Sequence, residues 1–545
     1  MQNSGASNHA PGVCQLIKQR TLSVCFYVAV LLVGSACATQ QAPQWGIRWL
    51  PNCESRPFDG LDPEVVARTQ CGIVTVPMDH MNPRLGSLKL DITRVSARLP
   101  DEREGALFTN PGGPGAEADG FTVLLASIWK GYAEQPQGEA YRHLVNRYDV
   151  IGITPRGMGS SPESQLVCQS EETIIAQNDI TEDRSPANLQ AIRNNAGVLA
   201  RACASQRLAP YINTEQTARD MEWVRVQLNE STLNYFGNSY GTWLGAWYAG
   251  LFPKQVGRMV LDSSTDWTAT FQDASLVQAP EKERVFARFV ARHAASDPQA
   301  YQMGSDPKAI GAIFLGLLPQ VRVALRSDNE FYSNVHYLMA ARALSAWLSE
   351  SPDLHDAALL AKAQAYQFSP NAGVDASTKN AFTHLLSAMR HPAPWNGLAL
   401  GPLKLTPRES VRSTVLCNDT AAADEAFWTE MENQYAIEFP VGGSFFPARH
   451  CAGWSGKQLD GVPQRKLALV NSLVMVQAEY DDQTPAAGAL KALKSLPTAH
   501  MTLLKGAYQH GVSFAGFNAC VNQNVGNYLA FGRTPERFTI CYESP

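Results

Sequence analysis

Short apolar runs alternate with amphipathic segments along the first half of the chain. Residues 213–229 place apolar side chains at helical spacing, which predicts an amphipathic helix. A buried strand is predicted directly after this helix, beginning at Leu233. Strands that alternate with helices indicate a mostly parallel sheet covered by helices. The other runs typical of buried strands in this half of the chain lie at residues 72–77, 88–95, 105–109, 148–153 and 257–262.

The pattern changes between about residues 266 and 408, where we predict an inserted helical cap. Five segments there show helical spacing, and none is convincingly strand-like. A separate helical domain is the alternative, but strand-like runs return at 472–477 and 500–504. The prediction is therefore an α/β fold whose core has two parts, residues 39–265 and 409–545, with the cap at 266–408. The helical segments lie at 280–295, 307–326, 335–350, 354–368 and 376–390, and a closing helix at about 519–531.

Residues 1–38 have the layout of a secretory leader, which is basic, then apolar, then rich in small residues. Lys18 and Arg20 precede an apolar stretch that is short for a membrane-spanning helix. We expect cleavage after Ala38 or, alternatively, lipidation of Cys37, because the residues before it resemble a permissive bacterial lipobox. An uncleaved leader that anchors the chain is the remaining alternative. The protein is thus expected to be exported, as a periplasmic, secreted or lipid-anchored protein of the bacterial envelope.

Cysteine usage indicates disulfides, and neither the cysteines nor the net charge indicates binding of a metal or of nucleic acid. Eleven cysteines are present, and the eight that follow the leader fall into four sequential pairs. An even number in an exported chain predicts disulfides, and pairing of neighbours is the simplest of 105 connectivities. No C-x-x-C motif or cysteine–histidine cluster indicates a metal site, and a net charge of −5 without a basic block gives no footprint for nucleic acid. The eight cysteines are Cys53, Cys71, Cys168, Cys203, Cys417, Cys451, Cys520 and Cys541.

The strand that begins at Leu233 leads into residues 237–241, whose sequence Gly-Asn-Ser-Tyr-Gly fits the pattern G-x-S-x-G. This pattern describes a nucleophile elbow, a sharp strand-to-helix turn that exposes a serine at its tip. The two glycines are needed because a side chain at either position would collide with the adjacent strand or helix. The pattern is common by chance, so the assignment of Ser239 as a nucleophile depends on its partners.

A serine nucleophile needs a base and an acid, and in an α/β-hydrolase fold the acid and then the histidine follow the serine along the chain. Asp481 and Asp482 follow the strand-like run after the cap, and we assign the acid to Asp481 because it lies nearer the strand. Glu479 is a less favoured third choice. His510 lies in a glycine-flanked loop after the last of these strands, where the base belongs.

The oxyanion of such a reaction needs backbone N–H donors. One is expected from Tyr240, the residue after the nucleophile, and the other from the loop after an early strand. Residues 110–115, Asn-Pro-Gly-Gly-Pro-Gly, form such a loop. Pro114 has no N–H group, so we assign the second donor to Gly113, with Gly115 as the alternative.

Together these motifs resemble the tripeptidyl aminopeptidase-like branch of the proline iminopeptidase family, a group of exported bacterial α/β-hydrolases. The resemblance runs from about Cys71 to Cys541. It implies an α/β-hydrolase fold with an inserted helical cap, a Ser239–Asp481–His510 triad, and hydrolysis of peptides from a free N-terminus. The matching segments are residues 71–83, 110–115, 155–160, 237–242, 256–262, 481–485 and 510–511.

One residue and one short segment depart from the family pattern. Thr154 stands where the family usually has aspartate, and residues 116–120 replace the usual Gly-Ser-Gly continuation of the glycine loop. Neither departure removes a member of the triad. Both lie near the expected substrate pocket, and some relatives are esterases, so the sequence leaves the substrate open.

We therefore expect an exported serine hydrolase, most simply an aminopeptidase that releases one to three residues through an acyl-enzyme and needs no metal or cofactor. A carboxylesterase or other small-molecule hydrolase with the same triad is the first alternative, and a non-catalytic exported binding protein is the second. An aminopeptidase must also bind the substrate's ammonium group with carboxylates. The sequence offers Glu117, Asp119, Asp419 and Glu330 for this role without favouring one.

Overall fold

A ten-stranded sheet runs through the protein in the computed structural model, which describes residues 45–53, 58–391, 400–444 and 446–543. The predicted leader, including Cys37, lies outside these residues. Two further strands form a small second sheet. The strands of the described residues are β1 (Gly46–Trp49), β2 (Thr69–Pro77), β3 (Ser87–Val95), β4 (Gly105–Asn110), β5 (Tyr148–Ile153), β6 (Gln169–Ile174), β7 (Leu233–Asn238), β8 (Val256–Asp262), β9 (Gly401–Lys404), β10 (Leu473–Ala478), β11 (Ala499–Lys505) and β12 (Phe538–Tyr542).

The large sheet is mostly parallel, as predicted. Its strand order is β1-β2-β3-β5-β4-β7-β8-β10-β11-β12. The pairs β1–β2, β2–β3 and β3–β5 are antiparallel, and every later pair is parallel. Strands β4, β5 and β10 are buried along their whole length, as expected when helices cover both faces of a sheet. The carboxyl ends of β4, β7, β8 and β10 lie at one edge, which is where α/β sheets bind their ligands.

Helices cover both faces of this sheet. Tyr235 and Phe236, neighbours in β7, belong to different hydrophobic clusters because successive side chains of a strand point to opposite faces. Trp243 packs in the cluster of Tyr235, and Trp129 packs in the cluster of Phe236. The α-helices of the described residues are α1 (Pro63–Ala67), α2 (Ala118–Ala133), α3 (Glu139–Arg147), α4 (Pro186–Ala204), α5 (Thr214–Gln227), α6 (Tyr240–Leu251), α7 (Asp273–Leu276), α8 (Gln278–Val285), α9 (Arg292–Ser296), α10 (Pro298–Tyr301), α11 (Pro307–Leu315), α12 (Pro319–Arg326), α13 (Asn329–Ser333), α14 (Val335–Glu350), α15 (Asp356–Ala365), α16 (Ala372–Arg390), α17 (Pro407–Asn418), α18 (Glu425–Glu438), α19 (Gln464–Leu467), α20 (Ala486–Ser495) and α21 (Ala519–Phe531).

The described segment between β8 and β9 is helical, as its periodicity predicts. It contains α7 to α16 and a π-helical turn at Phe286–Ala291. A third hydrophobic cluster, which includes Phe314, Trp347 and Phe382, holds these helices together. The division of the chain into a leader, two core parts and a cap at the boundaries given above stays a prediction.

The predicted 307–326 helix is divided into α11 and α12, which lie at 109° to each other. Gly316 ends α11 and Pro319 begins α12, and both residue types favour a break at this point. Taken together, the bent pair has the length and apolar composition of a membrane span, whereas no single helix of the described residues does.

The sequence does not predict β1, β6, β9 or β12. Strands β1 and β9 have only four residues, and β6 and β12 are mostly exposed, so none of them shows the buried apolar run by which the other strands are predicted. Strand β1 lies within residues 39–70, for which the sequence predicts a surface arm, and it pairs with β2 at one end of the large sheet. Strand β9 lies inside the range expected to be helical and pairs with β6. These pairings depend on partners distant in sequence, which explains why local patterns do not reveal them.

Disulfides join the eight described cysteines in sequential pairs, the pairing that the sequence makes simplest. Cys417 and Cys451 also lie beside His450, but a disulfide leaves neither sulfur as a thiolate that could bind a metal. The bonds are Cys53–Cys71, Cys168–Cys203, Cys417–Cys451 and Cys520–Cys541.

Arg156, in the turn after β5, joins three parts of the core. It is 1% exposed, and its guanidinium donates two hydrogen bonds to the carboxylate of Asp220 in α5, at 2.8 and 2.6 Å. The guanidinium also donates to the carbonyl oxygens of Met78 and Tyr211, at 2.8 and 3.0 Å. The shape of this turn therefore depends on a buried ion pair, and such pairs are costly to break from one side.

We expect Arg156→Met to lower the free energy of unfolding by about 3–5 kcal/mol, because it leaves the buried Asp220 carboxylate without its guanidinium partner and with only His80 beside it, at 2.8 Å. Urea denaturation followed by circular dichroism measures this change. Arg201→Met is the control, since Arg201 and Glu172 form an ion pair whose side chains are 55% and 48% exposed. Exposed pairs contribute little, so an equal effect of the two substitutions would contradict the role assigned to Arg156.

Candidate active site

Ser239 lies at a sharp turn between β7 and α6, at the edge where the parallel strands end. Its φ is +57° and its ψ is −125°, outside the regions that L-residues normally occupy. A Cβ atom on Gly237 would lie 2.5 Å from the carbonyl oxygen of Gly241, and one on Gly241 would lie 2.7 Å from that of Asn110. The two glycines of G-x-S-x-G are thus required by close backbone approach. Ser239 is partly exposed between buried neighbours, as a nucleophile must be.

The glycine loop after β4 lies against this serine. Gly112 has φ +111°, and a Cβ atom there would lie 2.8 Å from the Cβ of Ser239. The Asn238 side chain donates a hydrogen bond to the Pro111 carbonyl oxygen at 3.1 Å, which ties the loop to the elbow. The N–H of Gly112 is already used, since it donates to the side chain of Asn110 at 3.0 Å.

The two backbone amides expected to hold an oxyanion, those of Gly113 and Tyr240, have N–H groups without an acceptor among the described residues. Gly113 is exposed and Tyr240 begins α6, where helix N–H groups have no intrahelical acceptor. Neither N–H donates a hydrogen bond within the part of the chain that the structure describes. Gly115, the alternative donor, is buried, and a Cβ atom there would meet the backbone of α17 at Arg408, 2.8 Å away. The geometry therefore favours Gly113 and Tyr240.

His510 and Asp481 meet at the same edge. The Nδ1 atom of His510 lies 2.9 and 3.0 Å from the two carboxylate oxygens of Asp481. Asp481 is completely buried, and its carboxylate also accepts hydrogen bonds from the N–H groups of Gln483 and Thr484 and from the Thr484 hydroxyl. These donors fix the carboxylate, so that it orients the imidazole and leaves Nε2 available for proton transfer.

The electrostatic surroundings of His510 favour its protonated form. Burial lowers the pKa of the imidazole, but the charge of Asp481 and its hydrogen bond outweigh burial, so the pKa is raised above its ordinary value. Asp262 and Asp482 add to this effect. A histidine that accepts a proton from a serine becomes an imidazolium, and this setting stabilises that charge.

Asp262, the last residue of β8, connects the serine to the histidine loop. The Ser239 N–H donates to the backbone carbonyl oxygen of Asp262 at 3.0 Å. The Asp262 carboxylate accepts hydrogen bonds from the N–H groups of Val512 and Ser513, at 2.9 and 2.7 Å. The elbow and the loop that carries His510 are therefore attached to the same end of β8.

The alternative acids have other partners. The carboxylate of Asp482 accepts a hydrogen bond from the hydroxyl of Tyr332 in α13, and burial raises the pKa of Asp482 to about 6. Glu479 accepts a hydrogen bond from the N–H of Gly506 at 2.9 Å. Among the described residues, only the carboxylate of Asp481 is hydrogen-bonded to His510, so the geometry favours Asp481 as the acid.

Two of the four carboxylates considered for an ammonium group are already hydrogen-bonded within the protein. Asp119 is buried and accepts hydrogen bonds from the hydroxyls of Thr93 and Thr154, at 2.8 and 3.3 Å. Asp419 is buried and accepts from Thr214 and from the indole N–H of Trp243. Both carboxylates are thus occupied by their own chain. The remaining two, Glu117 and Glu330, are exposed.

Sequence reasoning did not find Glu281 in α8. Its side chain is 4% exposed, one carboxylate oxygen accepts a hydrogen bond from Arg284 at 2.8 Å, and the other has no partner among the described residues. Burial raises its pKa above the ordinary value; the ion pair with Arg284 opposes this shift, and the charges of Asp482 and Asp481 add to it. One turn earlier, Gln278 donates a hydrogen bond to the carbonyl oxygen of Gln483, so α8 lies against the acid loop. No local motif marks Glu281, because its setting arises only when the helix packs on this loop.

Two family models match separate parts of the chain. A model for the alpha/beta hydrolase fold matches residues 108–297, which include Ser239. A model for TAP-like proteins matches residues 440–541, which include Asp481 and His510.

Known relatives match almost the whole chain. A tripeptidyl aminopeptidase of Streptomyces lividans is 28% identical over 523 residues, which cover 93% of this chain and 89% of that protein. The serine protease Hip1 of Mycobacterium tuberculosis is 24% identical over 546 residues, which cover 94% of this chain and 96% of that protein. A Mycobacterium tuberculosis protein named carboxylesterase B is 26% identical over 512 residues, which cover 88% of each chain.

We expect Gly112→Ala to slow the labelling of Ser239 by an active-site fluorophosphonate by about 10²-fold, because displacement of a reacting group by about 1 Å has an effect of this size. The added methyl group would meet Ser239 at 2.8 Å in a backbone conformation that disfavours side chains. Gly120→Ala in α2 is the control, since no atom lies within 4 Å of the added methyl group. Mass spectrometry of the labelled protein gives both rates, and equal rates would show that the glycine loop does not set the position of Ser239.

Proposed function

We infer that this chain, an α/β-hydrolase of the tripeptidyl aminopeptidase-like branch and hence a serine hydrolase, is an exported aminopeptidase that removes one to three residues from peptides with a free N-terminus. The observation that carries the inference is the Asp481–His510 pair beside the Ser239 turn. The relatives named tripeptidyl aminopeptidase and serine protease support a peptide substrate.

The proposed reaction is acyl transfer through Ser239. His510 accepts the Ser239 proton at Nε2 as Oγ attacks the scissile carbonyl, and Asp481 keeps Nδ1 protonated. The N–H groups of Gly113 and Tyr240 hold the oxyanion, and a single such donor typically contributes about 3–4 kcal/mol to transition-state stabilisation. The imidazolium then protonates the leaving amine. Water, deprotonated by His510, attacks the acyl-enzyme; the bond to Ser239 Oγ breaks, the imidazolium returns the proton to Oγ, and the N-terminal fragment leaves as a carboxylic acid.

Recognition of a free N-terminus requires negative charge near the triad. Glu281 supplies a buried carboxylate oxygen without a partner among the described residues, in a helix packed on the acid loop. Its neighbours Asp481 and Asp482 disfavour a further negative charge, so a bound ammonium group would relieve this repulsion. We assign Glu281 the role of holding the substrate's ammonium group.

A carboxylesterase is the second candidate, because the relative named carboxylesterase B is about as similar as the named peptidases. The triad chemistry is the same for an ester, and an ester without an amino group has no need of Glu281. The departures at Thr154 and residues 116–120 lie beside the glycine loop, where acyl groups would bind.

Export is part of the proposal. Four disulfides within the described residues fit an oxidising compartment, where such bonds persist. Intact-mass measurement of the mature protein tests this, and the expected products are a chain that begins at Thr39 or one that begins at a lipidated Cys37. A full-length chain that begins at Met1 in a cytoplasmic fraction would contradict it.

We expect the wild type to release p-nitroaniline from a tripeptide anilide with a free N-terminus, and to cleave the N-acetylated form at least about 10²-fold more slowly, since a site built for a polar group rejects analogues that lack it. Ser239→Ala should abolish both activities and fluorophosphonate labelling. Steady-state assays with both anilides and a short acyl ester measure this. Turnover of the ester without cleavage of any free-N-terminus peptide would support the carboxylesterase instead.

We expect Glu281→Gln to raise KM for the free-N-terminus anilide about 10-fold or more, because the ammonium group loses its charged partner. Hydrolysis of a short acyl ester should change by no more than about twofold, because the substitution leaves the triad intact. Glu283→Gln is the matched control in the same helix, since its carboxylate already accepts hydrogen bonds from the backbone of Val441 and Gly442. An equal effect of the two substitutions on KM would show that Glu281 does not bind the ammonium group.

A further inference from the structure

Asp262 carries a buried carboxylate for which the triad chemistry has no direct use. It ends β8, is completely buried, and forms no ion pair with lysine or arginine in the described part of the chain. Its carboxylate accepts hydrogen bonds from the N–H of Val512, from the N–H of Ser513 and from the Ser513 hydroxyl. A buried charge held only by neutral donors is costly, so it calls for an explanation.

The next residue, Ser263, binds the amide that comes just before these two. Its hydroxyl accepts a hydrogen bond from the N–H of Gly511 at 2.8 Å. Ser263 has φ +54°, and its own N–H donates to the carbonyl oxygen of Val476 in β10 at 2.9 Å. Two adjacent side chains therefore bind three consecutive N–H groups, those of residues 511, 512 and 513, which follow His510 directly.

The same two residues are attached to the serine. The backbone carbonyl oxygen of Asp262 accepts the Ser239 N–H at 3.0 Å, and Asp262 is paired with Asn238 across β7 and β8. The chain thus connects Ser239 to His510 by one short path: the elbow backbone, the end of β8, and the amides after the histidine. A rigid path of this kind fixes the relative position of two groups that must exchange a proton.

We propose that Asp262 and Ser263 are positioning residues that hold the His510 loop against the Ser239 turn, with Asp262 also placing a second negative charge near the imidazole. This inference rests on the proposed function, because it assigns His510 the role of the base. Asp262 does not touch the reacting atoms. It acts through the backbone that follows His510 and through its charge.

The charged and titratable groups around this pair set the expected direction of a pH effect. Asp481, Asp262 and Asp482 all raise the pKa of His510, against the effect of burial. Burial raises the pKa of Asp262 to about 6, so above that pH it is charged. Tyr132 and Tyr141 also lie within its electrostatic reach, and burial raises the pKa of each, so both are neutral near pH 8. Loss of the Asp262 charge therefore lowers the pKa of His510, and the neutral base persists to lower pH.

The test compares three variants of the mature full chain by their rate of fluorophosphonate labelling between pH 5 and 9. Asp262→Asn keeps the shape of the side chain but removes its charge. Ser263→Ala removes one hydrogen-bond acceptor and no charge. Asp149→Asn is the control, since Asp149 is a buried carboxylate at the start of β5 that accepts hydrogen bonds from Ala97 and Arg103.

We expect Asp262→Asn to reduce the limiting rate about 10- to 100-fold and to move the acid limb of the pH profile to lower pH. Ser263→Ala should reduce the limiting rate and leave the acid limb at its wild-type pH, because it removes a hydrogen bond that positions the loop but removes no charge. Asp149→Asn should have the limiting rate and the acid limb of the wild type. With a short acyl ester as substrate, Asp262→Asn and Ser263→Ala should both lower kcat and change KM by no more than about twofold.

The inference would be overturned if Asp262→Asn and Ser263→Ala both kept the limiting labelling rate and the acid limb of the wild type. If Asp262→Asn does not fold, Ser263→Ala carries the test, and a wild-type limiting rate in that variant overturns the positioning role. Failure of the wild type itself to be labelled would instead refute the proposed function, so the two failures are distinct. A limb that moves equally in the Asp149→Asn control would show that the shift reflects general destabilisation and would also overturn the inference.

Discussion

The turn at Ser239 is the constraint on which the other parts of the site depend. A residue other than glycine at φ +57° is strained by about 1–3 kcal/mol, and such a conformation persists only where its surroundings fix it. Strand β7 and helix α6, both almost entirely buried, hold the two sides of the turn. Gly237 and Gly241 let the strand and helix approach so closely that any side chain there would separate them. The exposed position of Ser239 is therefore a consequence of core packing.

Three buried carboxylates around this turn are held by neutral donors and have no lysine or arginine partner among the described residues. Asp481, Asp262 and Asp419 each accept hydrogen bonds from backbone N–H groups and from a serine or threonine hydroxyl. A carboxylate held in this way is fixed in place while its charge is not cancelled by a neighbouring lysine or arginine. The three then differ in what they face: Asp481 faces the imidazole, Asp262 the amides after it, and Asp419 the indole of Trp243 beneath α6.

The helices between β8 and β9 contact the residues that flank the acid and the histidine. Phe289, in the π-helical turn, packs against Tyr480 and Tyr508, with ring centroids 5.4 and 4.5 Å apart. Tyr332 donates its hydroxyl hydrogen bond to Asp482. Turns of the π-helical kind are rare and are frequently found at functional sites. The helices between β8 and β9 thus directly contact the loops that carry the proposed chemistry.

The sequence by itself predicted the mostly parallel sheet and the helical segment that follows β8, because these follow from hydrophobic period and turn chemistry among neighbouring residues. The α/β-hydrolase fold was implied by the resemblance of its motifs to a known family. The sequence also pointed to Ser239, Asp481 and His510, since each stands in a local motif after a recognisable strand. Only the tertiary structure placed Glu281 against the acid loop and joined Asp262 to amides 250 positions away. The burial and hydrogen bonding of such groups depend on which distant segments pack together, and no local pattern of residues records that.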